Sequence, residues 1–350
     1  MKSIKTIIGI GIIIIVCALI AGYHKTKSES PTVTIGFAGD VMLGRSVSDI
    51  LMRLPTTIRY RYPWGSVLPL LQANDLNIIN LETTLTTSTH IEPKTFNFKA
   101  DPDLVKALHE AHIDVVNIAN NHILDFSNEG LFETIKVLDA AGIQHVGAGK
   151  DIYQAQKAVI IQKHGIKIGI IGFTDNEPEW QAGQDHPGTN YIQVGDIDTI
   201  KKDIQILREA VDVLILTIHW GPNKSEQPTK EFRDFAHQII DEGVDIIHGH
   251  SAHLVNGIEL YNDKLIMYQT GDFVDDYALY EDARNDLSFL FVVTIDKNGP
   301  IQVKLTPTAI ANAQVNIATG KDQHYIEQHM EKLCNQLGTS IDTKGIIKIR

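Results

Sequence analysis

Five apolar runs in this chain each give way, at the C-terminal end, to a side chain able to bind a metal ion. "TVTIGFAGD" ends at Asp40, "DLNIINLE" at Glu82 and "IDVVNIANNH" at Asn121 and His122. "VDVLILTIHWG" carries His219 near its end, and "VDIIHGHSAH" delivers His248, His250 and His253. Short runs rich in Ile and Val, separated by amphipathic segments, read as buried strands alternating with helices. Helices are expected over "SVSDILMRL", "PDLVKALHEA", "SNEGLFETIKVLDAAG" (stopped by Gly142), "IDTIKKDIQILREA" and "TKEFRDFAHQIIDEG". Hairpins are expected about His164-Gly165 and within "NGIELYNDKLIMYQTGD". The alternation predicts an α/β fold with a largely buried sheet, and the hairpins make that sheet mixed. No repeat or inner linker divides the soluble part. In α/β folds the loops at strand carboxyl ends converge on a crevice, so five such ends place their polar residues together.

Charge narrows the partners. Of 31 basic and 43 acidic side chains, the first 30 residues hold four lysines and one glutamate, which leaves residues 31–350 at −15. A surface this acidic repels phosphate backbones, so nucleic acid is excluded as a partner without a bridging cation. The two cysteines, Cys17 and Cys334, have no CxxC neighbour, which removes thiol chemistry.

The N-terminus sets the expected location. Lys2 and Lys5 precede an uncharged stretch, residues 7–23, long enough for a short membrane span. No small-x-small cleavage site follows it, which favours an uncleaved signal-anchor over a secreted form released by cleavage. The expected organisation is a cytoplasmic segment 1–6, a transmembrane anchor 7–23 and a polar tether 24–32. An extracytoplasmic domain over 33–315 and a helical tail over 316–350 complete it.

Three histidines in the six positions of "HGHSAH" need either a cation or three separate hydrogen-bond partners. Carboxylates, an amide oxygen and imidazoles together suit one or two divalent ions such as Mn²⁺, Fe²⁺, Co²⁺ or Zn²⁺. Paired ions polarise a phosphoryl oxygen and supply a hydroxide nucleophile, while a nearby histidine that is not a ligand protonates the leaving oxygen. The set points to metal-assisted hydrolysis, most naturally of a phosphoester. Other plans do worse: there is no GxSxG, "GAGK" lacks P-loop spacing, and the "GIG" at 9–11 lies in the apolar N-terminal stretch.

The blocks "GFAGDVMLGR", "NLETTLT", "NIANNHILDFSNEGLFET", "IHWG" and "GHSAHLVNGIE", in that order between about Val33 and Asp296, resemble the bacterial capsule-synthesis CapA (PGA_cap) family. That family is associated with poly-γ-glutamate capsule production and is similar to calcineurin-like metallophosphoesterases. The resemblance implies a four-layer sandwich of two mixed sheets flanked by helices. It also implies roles. Asp40 and His253 would serve a first metal, His219, His250 and Asn121 a second, Glu82 would bridge them, and His122 would donate the proton. His248 would be a neighbour of the site or a buried neutral residue. Arg45, in the first block, is a further neighbour without an assigned role.

Departures from the phosphoesterase pattern gather at the first metal. Met42 stands where a histidine ligand is expected, the bridging residue is Glu, and two residues rather than one separate the last histidines. In "YQTGDFVDDY", Asp272 stands where asparagine is expected, either tuning the pocket or simply solvated. The function implied is metal-dependent hydrolysis in the synthesis or export of a capsule or other polyanionic polymer, at the cell membrane and beside other export proteins. The alternative is a non-catalytic accessory that binds an anionic polymer through the cation.

Overall fold

The apolar runs pair into two sheets rather than one. β1 (Val33–Val41) pairs in parallel with β2 (Leu76–Leu81), β2 with β3 (Val115–Asn117), and β3 with β4 (Gln144–Val146). The chain then builds a second sheet from β5 (Val159–Lys163), β6 (Ile166–Thr174), β7 (Val213–His219), β8 (Ile246–His250), β9 (Ile258–Tyr261) and β10 (Lys264–Met267). Its order is β9-β10-β8-β7-β6-β5, parallel at the centre with an antiparallel hairpin at each edge. The hairpins turn at His164-Gly165 and Asn262-Asp263, two-residue loops with positive φ throughout, the geometry that matches strand twist.

The chain then returns to the first sheet. β11 (Asp272–Val274) lies parallel to the carboxyl end of β1, and β12 (Leu287–Asp296) runs antiparallel to its beginning. β13 (Gly299–Ala311), β14 (Gln314–Ile317) and β15 (Ile346–Lys348) extend that antiparallel edge.

Three apolar layers hold the sheets. Phe37, Ile78 and Val115 of the first sheet meet Ile168, Ile215 and Ile246 of the second in the core between them. On the outer face of the first sheet, α1 (Arg45–Arg53), α2 (Leu68–Gln72), α3 (Val105–Glu110) and α4 (Ser127–Ala141) bury Val47, Leu71, Leu108 and Leu131. On the outer face of the second, α5 (Asp198–Ala210) and α6 (Lys230–Asp241) bury Ile204 and Phe235. Helix–sheet–sheet–helix is the four-layer, two-sheet architecture that the resemblance implies. Burying a side chain such as Phe37 fully stabilises the sandwich by roughly 1.5–3 kcal/mol.

The computed structural model describes residues 30–280 and 282–350. The expected cytoplasmic segment, the anchor 7–23 and the tether as far as residue 29 lie outside the described residues. Among the described residues, no helix is long and apolar enough to cross a membrane. One sequence expectation needs correction. The strand expected through residue 122 ends at Asn117, where the chain leaves the sheet for a loop. The helical tail expected over 316–350 packs into the domain: α7 (Gly320–Gln336) buries Met330 and Leu333 in the inter-sheet core, and β15 pairs with β13. Thr32–Arg350 is one unit. A three-residue strand carries too little pattern to be seen in sequence.

Candidate metal centre

Strand register alone assembles most of the centre. On the first sheet, Asp40 of β1 has Asp272 of β11 as its pairing partner on one side and Asn80 of β2 on the other, and Asn80 faces Asn117 of β3. On the second sheet, His219 of β7 faces His250 of β8. Gly39 permits the close approach of β11, since a Cβ there would lie 1.8 Å from the Gly271 carbonyl oxygen. Face-to-face packing brings the two rows together, with Asp40 Oδ1 3.7 Å from Nδ1 of both His219 and His250.

Two sets of donor atoms result, each within 4.8 Å of one another: Asp40 with His219 and His250, and Asp40 with Glu82 and His253. Asp40 is therefore the residue both sets share, whereas the resemblance assigns that position to Glu82. Glu82 still reaches toward the histidine side, its Oε1 3.9 Å from His219 Nε2. Asn121 Oδ1 lies 3.0 Å from the same nitrogen, and the Nδ1 atoms of His219 and His250 are 3.0 Å apart.

The segment "HGHSAH" divides its histidines. His248 lies within hydrogen-bond distance of Thr217 Oγ1 (3.1 Å) and Thr270 Oγ1 (3.3 Å), and its ring packs 5.0 Å from Phe37. It finds ordinary polar partners, while His250 and His253 turn to the donors. Between them the backbone takes an uncommon path, Ser251 at φ 118° and His253 at φ 60°, left-handed values that non-glycine residues avoid. The turn aims the Ser251 N–H at Asp40 Oδ2 (3.3 Å) and brings His253 Nδ1 to Asp272 Oδ1 (2.9 Å). Strain concentrated where side chains converge fits a site whose surroundings enforce it.

The donor set fits a divalent cation. Asp40, Glu82 and Asp272 are buried, and Glu82 Oε1 and Asp272 Oδ2 have no hydrogen-bond partner. A buried carboxylate oxygen without a partner is costly, and a bound cation removes that cost. Asp272 is thus not the solvated residue that the sequence left open. Burial holds His219 down to about 3 and His248 to about 4, and it also lowers His250 far below the usual imidazole range, so all three are neutral near pH 7. Neutral imidazole is the form that binds metal. Burial opposes charge on His253 too, but Asp272 and Glu82 outweigh it and raise its pKa well above the usual range. For Asp40, burial favours the neutral acid; His253, His219 and His250 overcome it and hold the carboxyl well below the usual range. Burial, with the charge of Asp40, raises Glu82.

Met42 takes no part in the donor set. It is fully buried in the helix-side apolar layer, and its sulfur accepts the Gly44 N–H at 3.1 Å.

His122 lies beside the donors, its Nε2 3.8 Å from Glu82 Oε1. Asp125 Oδ2 accepts from its Nδ1 (2.6 Å) and from the Phe98 N–H (2.6 Å), while Lys94 Nζ donates to Asp125 Oδ1 (3.0 Å). The Phe98 ring stacks on the imidazole at 3.7 Å. Burial lowers the His122 pKa, partly offset by Asp125.

Sequence reasoning missed these supports. It also missed an amide network beneath the site: Asn80 Nδ2 donates to Asp40 Oδ1 (2.7 Å), and Asn117 and Asn120 both donate to Asn80 Oδ1 (3.1 Å each). The available signals were His-x-x-Asp at 122–125 and an asparagine two residues before Glu82.

A cleft of about 540 Å³ opens over His122 and His253, walled by Phe96, Phe98 and Tyr277. Arg45 stands at this cleft rather than among the donors, 5.4 Å from the Phe98 ring and 3.5 Å from Asp276. Lys94 lines it as well.

With this geometry in place, comparison with known proteins is informative. The family profile "Bacterial capsule synthesis protein PGA_cap" matches residues 34–277. A probable polyglutamine synthesis accessory protein of Mycobacterium tuberculosis is 32% identical over 89% of this chain and 94% of its own length. The PGA biosynthesis protein CapA of Bacillus subtilis is 29% identical over 83% of this chain and 75% of its own length. The capsule biosynthesis protein CapA of Bacillus anthracis is 27% identical over 92% of this chain and 79% of its own length.

Proposed function

Because this chain belongs to the bacterial capsule synthesis PGA_cap family, we propose that it is a divalent-metal-dependent hydrolase of a phosphoester in the synthesis or export of an anionic capsule polymer. One observation carries the reading: a histidine held by a carboxylate, His122 on Asp125, stands beside a buried donor set and opens on a cleft. Bound divalent ions supply Lewis acidity and a hydroxide near neutral pH. Asp40, Glu82 and His253 would hold one ion, and Asp40, Asn121, His219 and His250 the other. Asp125 accepts from Nδ1–H of His122, which leaves Nε2 with its lone pair free to take up a proton, as an imidazolium steadied by Asp125, and to pass that proton to the leaving oxygen. Stacking on Phe98 fixes the plane of the ring. Arg45 and Lys94 place positive charge at the cleft of an otherwise acidic protein, which favours an anionic substrate.

The same proposal places the domain outside the cytoplasm, tethered by residues 7–23 beside other capsule-export proteins, because that stretch is uncharged and follows Lys2 and Lys5. Protease accessibility of membrane fractions tests this, and a chain found in the soluble fraction would contradict it.

A second reading, an accessory that binds polymer through the cation without hydrolysis, draws on Met42 occupying a ligand position. His122→Ala separates the two. Hydrolysis of an aryl phosphodiester should fall by roughly 10²–10⁴-fold with metal content unchanged, whereas His250→Ala should lower the metal content itself. Equal metal loss in both variants would contradict the division of roles.

A further inference from the structure

We infer that Asp272 is itself a metal ligand and that it makes the two positions of the centre differ in the ions they prefer; this rests on the metal-centre reading above. Three observations carry it. Asp272 is the in-register neighbour of Asp40 across β1 and β11, so both carboxyls leave the sheet at the same level. Its Oδ1 is engaged by His253 Nδ1 at 2.9 Å, while Oδ2 is buried away from every N–H and hydroxyl donor, with the buried Asp275 carboxyl as a neighbour of the same group. Met42 has turned into the apolar layer and offers nothing in its place.

The donor sets are then unlike. The first position has three carboxylates, Asp40, Glu82 and Asp272, and one imidazole, His253. The second has the imidazoles of His219 and His250, the Asn121 amide and a share of Asp40. Oxygen-rich sets suit Mn²⁺ and Mg²⁺, and imidazole-rich sets suit Zn²⁺, Fe²⁺ and Co²⁺. The ratio of Mn²⁺ to Zn²⁺ affinity is therefore higher at the first position than at the second.

Asp272→Asn is the sharp test, because the amide oxygen still accepts from His253 Nδ1 and the shape is kept while the carboxylate is lost. Binding of Mn²⁺ and Zn²⁺ to the full-length chain is followed by electron paramagnetic resonance and calorimetry. The expected result is Mn²⁺ affinity at least about tenfold weaker in Asp272→Asn, with Zn²⁺ binding at the histidine-rich position retained. Mn²⁺ affinity equal to the parent's would overturn the inference and leave Asp272 as a positioning residue for His253. Anomalous scattering from parent crystals soaked in Mn²⁺ decides independently of the variant. An ion within about 2.6 Å of Asp272 Oδ2 supports ligation, and one held by Asp40, Glu82 and His253 alone overturns it. A parent chain that takes up neither ion would overturn the metal-centre reading as well, so the two failures are distinguishable.

Discussion

The two halves of the centre reach a similar density of donors by different routes. On the second sheet, His219 and His250 end adjacent parallel strands, and a single register places them side by side. Their pKa values are low because burial disfavours the charged ring. On the first sheet, Asp40 is flanked by Asp272, which arrives on a strand from the far end of the chain, and by Asn80, which is held in turn by Asn117 and Asn120. The histidine half needs only apolar strands and tolerates dryness as neutral rings. The carboxylate half gathers negative charge in a buried place, where an amide network offsets part of it and a bound cation, held by His253 as well, would offset the rest. Asp40 is the point where the halves meet.

The comparison breaks most directly at that point. Asp40→Ala should empty both positions and abolish hydrolysis, as read by metal analysis of the purified chain. Retention of one full ion would show that the halves do not share Asp40. A smaller effect is expected from Asp125→Asn, which lies on neither donor set but holds the His122 ring. Activity should fall about 10–100-fold with metal content intact, in line with the loss of other carboxylates that orient a working histidine. Metal loss in this variant would place Asp125 in the donor machinery instead. The smallest effect belongs to Asn117→Ala, one step removed from Asp40. Losing its bonds to Asn80 and to the Ala119 carbonyl should cost roughly 1–3 kcal/mol in chemical unfolding. If Asn117→Ala unfolded like the parent, the amide network would not be what steadies the carboxylate half.

Legibility in the sequence follows the same division. The histidine half could be read directly, because His219 and His250 stand at the ends of apolar runs. Helix α4 could be read too, since Gly142 at φ 72° stops it where the pattern stops. The carboxylate half was only partly visible. Asp40 and Glu82 end their strands, but the burial of Asp272 depends on β11 joining β1, a pairing across more than two hundred residues that no local pattern announces. The partition into two sheets was hidden for the same reason: parallel strands of either sheet show the same apolar run, and only packing decides which face meets which. Asn80, Asn117 and Asp125 escaped because each does its work through a side-chain bond to another residue, which no local pattern announces.

The most direct test of the account is the number of metal ions per purified full-length chain, measured together with turnover of an aryl phosphodiester. The account predicts two ions, with hydrolysis that is lost on chelation and restored when metal is returned. Fewer than one ion per chain, or two ions with no turnover after metal is restored, would contradict the proposed hydrolase.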